Sequence, residues 1–200
     1  YEVKDNTDKI SQFSDAITLD RSLPTGTIEV NDDDPYSTSR DVTLTLTGAD
    51  ETSGLDQMRF SQDGGVSWTP WEDFSATKDL TLQGADGPKT VRMELKDKAG
   101  NTESFQDPIT LDLATPTGSV LLNNGDEFVT SRDITITLTQ SDQGSGIKEV
   151  RYQVEGGVWT NWEAASSEKS LTLADQDGLQ TVLYEVKDNT DKISQFSDAI

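Results

Sequence analysis

The sequence has no cysteine and no histidine among its 200 residues. Without thiols there are no disulfides and no thiolate metal sites. Without imidazole the usual general base and the commonest transition-metal ligand are missing. These two absences remove most catalytic templates. No apolar run approaches the roughly 20 residues that a membrane helix needs, and no signal peptide opens at Tyr1, which falls inside a strand pattern, so the chain reads as a piece of something longer. Positive charge is also scarce: 16 basic residues stand against 37 acidic ones, a formal net charge of -21. Such a surface repels phosphate backbones, so nucleic acid is not an expected partner. It suits solubility, and it offers hard oxygen ligands to calcium where that ion is abundant.

What is present is patterned. Four Trp, four Tyr and six Phe are more than a charge-rich disordered segment usually carries. The first seventeen residues, YEVKDNTDKISQFSDAI, recur unchanged as Tyr184 to Ile200, an offset of 183. A weaker period lies inside this one. LPTG at Leu23 to Gly26 answers TPTG at Thr115 to Gly118, and TSRDVTLTLT from Thr38 answers TSRDITITLT from Thr130, both at an offset of 92. After a one-residue deletion near Ser67 the offset becomes 91 and pairs WTPWE (Trp68 to Glu72) with WTNWE (Trp159 to Glu163). Self-similarity at a fixed period marks an array of stacked units. The expected domains are residues 18–109 and 110–200, with residues 1–17 as the C-terminal hairpin of a preceding repeat.

Within a unit the signals are all β. Val42, Leu44 and Leu46 alternate with threonines, and Ile134, Ile136 and Leu138 repeat the pattern, the period of two that belongs to a half-buried strand. Met58 and Phe60 lead through QDGG to Trp68. A Asp86-Gly87 turn precedes Val91, Met93 and Leu95, and a last strand carries Phe105, Ile109 and Leu111. Six or seven strands in about 91 residues, with turn signals every 8 to 12, is the expectation for an antiparallel two-sheet sandwich.

The P-T-G entry at Pro24 to Gly26, the run TSRDVTLTLTGADETSG, the hairpin FSQDGGVSWTPWE from Phe60 and KTVRMELKDKAGN from Lys89 resemble the immunoglobulin-like and fibronectin-III-like tandem repeats of large bacterial surface and secreted proteins of the adhesin type. The resemblance covers the whole chain. It implies an extracellular, cell-surface structural protein: a spacer or stalk that projects a terminal domain, whose partners are the neighbouring repeats of its own chain. The rival is a glycan- or protein-binding module within the array, or an accessory domain of a secreted enzyme, since such folds serve all three. NTDK (Asn189 to Lys192) stands where the pattern gives AGN, so a turn of different geometry is expected there.

Candidate sites follow from the topology of a seven-strand sandwich. The loop after the second strand (Asp50, Glu51, Ser53; Asp142) and the loop before the last (Asp97, Asn101; Asp188, Asp191) emerge where the entering linker carries Asp20 or Asp112. Asp20, Asp50 and Asp97, and likewise Asp112, Asp142 and Asp188, are thus candidate calcium ligands at the domain junctions. The competing reading makes Asp97 and Asp188 turn caps that bond backbone amides. The Trp68/Trp71 and Trp159/Trp162 pairs are expected to place one ring each in the core. No carboxylate pair stands out as a glycosidase acid and base, and no catalytic residue is assigned. The segment 1–17 is identical to the one that completes the second domain, so it could exchange with that segment in a neighbouring chain.

Overall fold

The computed structural model describes all 200 residues. Residues 1–17 form a hairpin of their own, β1 (Glu2–Lys4) and β2 (Ile10–Gln12), closed by the Tyr1 and Phe13 rings stacked 5.7 Å apart. Every residue from Tyr1 to Leu19 is exposed. The hairpin keeps the register of its copy: Glu2 faces Gln12 as Glu185 faces Gln195.

The first domain holds β3 (Thr25–Val30), β4 (Tyr36–Ser37), β5 (Asp41–Ala49), β6 (Leu55–Ser61), β7 (Glu72–Asp73), β8 (Thr77–Thr81), β9 (Gly87–Asp97) and β10 (Thr102–Leu111). Its two sheets have the orders β3-β5-β8 and β4-β10-β9-β6-β7. The second domain holds β11 (Thr117–Leu122), β12 (Asp133–Ser141), β13 (Ile147–Val154), β14 (Glu168–Thr172), β15 (Thr181–Asp188) and β16 (Ile193–Ala199), as β11-β12-β14 and β13-β15-β16. Three strands against three, with the first two and the last two strands paired as hairpins and the chain changing sheet at β12–β13, β13–β14 and β14–β15, is the immunoglobulin-like arrangement. The two-residue strand β4 adds a parallel pairing with the end of β10. At the position of β7 the second domain keeps a single bridge, Val150 with Glu163.

The threonine alternation does what period two requires. Val42, Leu44 and Leu46 are buried, as are Ile134, Ile136 and Leu138, while the threonines between them face outward. They join separate cores of 13 and 11 buried residues. Such cores are small. Cutting back one side chain, Leu44 or Ile136, costs about 2 to 5 kcal/mol, a large share of the roughly 5 to 15 kcal/mol that holds a domain folded.

Two sequence signals acquire causes here. The glycine of the P-T-G entry is needed for close approach: a Cβ on Gly118 would sit 2.6 Å from the Thr139 carbonyl oxygen and 3.0 Å from the Phe196 ring. The NDDD and NNGD turns run left-handed, with positive φ at Asn31, Asp32 and Asp33 and at Asn123, Asn124 and Gly125, a region that Asn, Asp and Gly tolerate best. Directly before them, Asp107 Oδ2 accepts the Val30 N–H at 2.8 Å, and Asp198 Oδ2 accepts the Leu122 N–H at 2.9 Å, tying sheet to sheet. One boundary moves. Strand β10 continues through Leu111, past the expected division at Ile109, because Thr110 and Leu111 pair with Tyr36 and Ser37. The linker is therefore Asp112 to Pro116.

Candidate metal centre

The inner face of β9 carries Val91, Met93 and Leu95, all buried, and the next inward position is Asp97. On β15 the series is Val182, Tyr184, Val186 and Asp188. Period two thus delivers a carboxylate to the end of each core, and both are 0% exposed. Each is anchored by the turn it opens. Asp97 Oδ1 accepts the Asn101 N–H at 2.8 Å and Oδ2 accepts the Asn101 side-chain amide at 2.8 Å. Asp188 Oδ1 accepts the N–H of Thr190 and of Lys192, each at 2.9 Å. The expectation of a different turn at NTDK is corrected: Asp97 N–H bonds Asn101 O and Asp188 N–H bonds Lys192 O, both at 3.1 Å. Asp191 adopts φ 65 where Gly100 adopts φ 96, and aspartate tolerates that conformation.

The loop after β5 adds Asp50, whose Oδ1 gathers the N–H groups of Thr52, Ser53 and Gly54. Its other oxygen, Oδ2, is shut off from solvent and has no hydrogen-bond partner. The linker adds Asp20, which accepts the Ser22 and Ser53 N–H groups at 2.9 and 3.0 Å. A carboxylate oxygen from each of Asp20, Asp50 and Asp97 lies within 4.8 Å of the others, and the same holds for Asp112, Asp142 and Asp188. Two unit negative charges at that distance repel by about 3 kcal/mol at an effective dielectric of ~20. A cation placed among three of them would relieve that repulsion. The donor set, all hard oxygen on three separate segments, fits calcium. Asp191 belongs to neither cluster; it pairs with Lys148 at 2.7 Å, which holds its carboxyl below the ordinary value.

The two clusters are not alike. No lysine or arginine pairs with Asp20, Asp50 or Asp97. In the second cluster Lys192 Nζ lies 2.7 Å from Asp112 Oδ1 and 3.5 Å from Asp188 Oδ2. Thr190 Oγ1 bonds Asp112 Oδ2 at 3.1 Å and Asp188 Oδ1 at 2.9 Å. Asp112 is wholly buried, whereas Asp20 is half-buried. Burial pushes the Asp112 carboxyl up, but the bonds from Lys192, Ser145 and Thr190 outweigh it, and the net shift is downward. The Asp20 carboxyl is also lowered, chiefly by the Ser53 hydroxyl.

No family model and no curated protein matches the sequence. Among solved structures the chain is similar to fibronectin(III)-like modules of CbhA from Clostridium thermocellum, at 14% identity over 85% of this chain and 92% of that one, with a TM-score of 0.39. It is similar to a structure concerning host cell surface retention of a 1.5-MDa bacterial ice-binding adhesin, at 17% identity over 99% and 70%, TM-score 0.39. It is also similar to a tetra-tandem repeat from the extending region of a large adhesion protein, at 18% identity over 99% of this chain and 53% of that one, TM-score 0.35. The likeness is one of fold.

The tryptophans lie elsewhere than expected. None is in a core; Phe60, Tyr152 and Tyr184 take the buried aromatic positions, and all four Trp are half-buried on the outer face of the sheet. There the Arg59 guanidinium sits 4.9 Å from the Trp68 ring and 4.3 Å from Trp71, and Lys96 Nζ lies 4.6 Å from Trp71. The second domain repeats the stack with Arg151 between Trp159 and Trp162, and Lys187 at 4.0 Å. Glu94 and Glu185 hold the two arginines in place. Cations over aromatic faces attract by about 0.5 to 2 kcal/mol each, so these rings are occupied by their own chain.

Sequence reasoning missed Lys192, Thr190 and Asp86. Asp86 Oδ2 accepts the N–H groups of Leu113 and Ala114 at 3.0 and 2.8 Å, so the first domain grips the linker that carries Asp112. The signal for the first two lay in aligning the copies, where Ala99 faces Thr190 and Asn101 faces Lys192.

Proposed function

We propose that the chain is a spacer segment of a repetitive extracellular surface protein of the adhesin type, in which neighbouring sandwiches are held at fixed angles through their linkers. One observation carries the reading. The linker residues Asp112, Leu113 and Ala114 are bonded on one side to Ser37 and Asp86 of the first domain and on the other to Lys192, Ser145 and Thr190 of the second. A five-residue tether fixed from both sides transmits orientation, which is what a stalk needs and a binding module does not. The covered faces of all four Trp speak against a sugar-stacking platform.

Calcium is part of the proposal. Asp20, Asp50 and Asp97 offer oxygens from linker and two loops, and a bound ion would fasten the entering linker to the first domain as the linker Asp112 is fastened to the second. Sites with few charged ligands bind in the range of about 10⁻⁴ to 10⁻³ M, which suits an extracellular setting. Small-angle scattering and calorimetry of the whole chain in calcium and in a chelator test this. Expected are an elongated particle and a melting temperature that falls by several degrees in chelator. Identical melting in both would remove calcium from the proposal, and a particle whose domains tumble independently would remove the spacer.

A further inference from the structure

Of the aligned positions at which the surroundings of the two acidic clusters differ, three converge on one side chain, Asp112. Thr52, Ala99 and Asn101 around the first cluster become Gly144, Thr190 and Lys192 around the second. Gly144 makes room. A Cβ at that position would lie 2.5 Å from Asp112 Cγ and 2.6 Å from its Oδ1, so the buried pose of Asp112 depends on the missing side chain. Thr190 supplies a hydroxyl that bridges Asp112 and Asp188, and it takes a 2.6 Å bond from the ammonium of Lys192. Lys192 then places its charge 2.7 Å from Asp112 and 3.5 Å from Asp188. In the first domain the same turn position is Asn101, which is neutral and bonds only Asp97. Its cluster carries no internal positive charge, and it retains a solvent-inaccessible oxygen, Asp50 Oδ2, with no partner.

We propose that Lys192 is a built-in counter-ion: the second cluster is closed by its own ammonium and takes no divalent cation, whereas the first is open to one. The inference rests on the reading of the first cluster as a calcium site. The chemistry is that of size and charge. A lysine ammonium donates three hydrogen bonds from a point charge, and the Asp112 and Asp188 carboxylates with the bridging Thr190 hydroxyl satisfy it in the space that an ion of ~2.4 Å ligand distance would fill. Because Lys192 occupies the seventeen-residue segment that recurs verbatim, the same lysine appears as Lys9 in the hairpin at the start of the chain. In this chain the two kinds of junction stand side by side: the one through Asp112 is fastened permanently, and the one through Asp20 responds to the ion.

The test is calcium titration by calorimetry, with circular dichroism to check folding, on three forms of the whole chain: the natural sequence, Lys192→Asn, and the transplant Thr52→Gly/Ala99→Thr/Asn101→Lys. Expected stoichiometries are one, two and zero ions per chain, and the chelator shift in melting should be lost in the transplant. Two ions bound by the natural chain would overturn the inference while leaving the calcium reading intact. So would a folded Lys192→Asn chain that still binds one, or a folded transplant that binds as the natural chain does. No binding by the natural chain would instead overturn the calcium reading on which the inference stands. The transplant keeps the test open should Lys192→Asn fail to fold.

Discussion

Asp112 and Lys192 are eighty residues apart and meet at 2.7 Å, while the backbone N–H of the same Asp112 donates to the Ser37 carbonyl at 2.9 Å in the other domain. One residue thus ends a strand pairing in one sandwich and, as a buried carboxylate, is neutralised by a lysine of the next. Asp112→Asn keeps the shape and removes the charge. The Lys192 ammonium retains Asp188 and some water, so the cost is about 1 to 3 kcal/mol, less than for a wholly buried pair. Calorimetry should show the second domain melting several degrees lower and the first unchanged; an unshifted second transition would mean the pair is not stabilising.

Asp86 tests the linker from the other side. Asp86→Ala leaves the Leu113 and Ala114 amides without their shared acceptor, which loosens the junction and spares both cores. Limited proteolysis should cut between Asp112 and Pro116 severalfold faster, with both melting transitions within about 0.5 kcal/mol of the natural chain. Equal cleavage rates would show that the grip of Asp86 is incidental.

Tyr152 is wholly buried and stacked 5.4 Å from Tyr184, yet its hydroxyl has no hydrogen-bond partner, while that of Tyr184 donates to Gln140 at 3.0 Å. Phe60 fills the same place in the first domain without a hydroxyl. Tyr152→Phe therefore relieves a desolvated polar group and should raise the stability of the second domain by about 1 kcal/mol, read from denaturant midpoints. A loss of stability would place an unseen partner on that oxygen.

The same rings set an alkaline limit. Burial, with the charge of Glu163, pushes the Tyr152 hydroxyl up to about 12, and burial with Tyr152 pushes Tyr184 higher still. Both groups are more acidic in the unfolded chain, at about 10. A raised folded value means that the stabilisation is complete below about pH 10 and is lost as pH rises toward 12. The second domain should unfold first in an alkaline titration, and the first, with Phe60 and Met93 at these positions, should outlast it. Simultaneous loss of both would show that some other group governs.

Arg151 stacks between Trp159 and Trp162 and is held by Glu185 at 2.7 Å. Arg151→Ala removes two ring contacts and the packing of the alkyl stem, costing about 1 to 3 kcal/mol. Arg151→Lys should recover only part, since the planar guanidinium is what fills the gap. Tryptophan near-ultraviolet dichroism and thermal melting report both changes; full recovery by lysine would reduce the stack to charge alone.

Much of the fold was legible in the sequence for one reason: alternation at period two survives wherever one face of a strand meets a core, and Val42 to Leu46 and Val91 to Leu95 keep it without interruption. The left-handed turns were legible as turns because Asn, Asp and Gly are the residues that enter that region. The tryptophans misled, since a large ring suggests a core when the rings are in fact matched to an arginine on the same outer face, and nothing local in WTPWE says which face it takes. The site residues Asp20, Asp50 and Asp97, and their three counterparts, could be listed from topology, because loops at one end of a sandwich converge. Lys192 could not be placed that way. Its position is set by the turn that Asp188 opens, and only the unchanged turn geometry brings its ammonium back over Asp112.

The short pairing of β4 with β10 has a mechanical meaning. The two strands run parallel, joined by the Thr110 N–H to Pro35 O bond at 3.1 Å and the Asp112 N–H to Ser37 O bond at 2.9 Å. Tension along the polypeptide pulls β4 toward the amino end and β10 toward the carboxyl end, so these bonds are strained in shear and must yield together instead of unzipping one at a time. The strand carrying that tension leads directly into Asp112. A sandwich pulled from its ends is therefore clasped at the residue by which it also holds its neighbour.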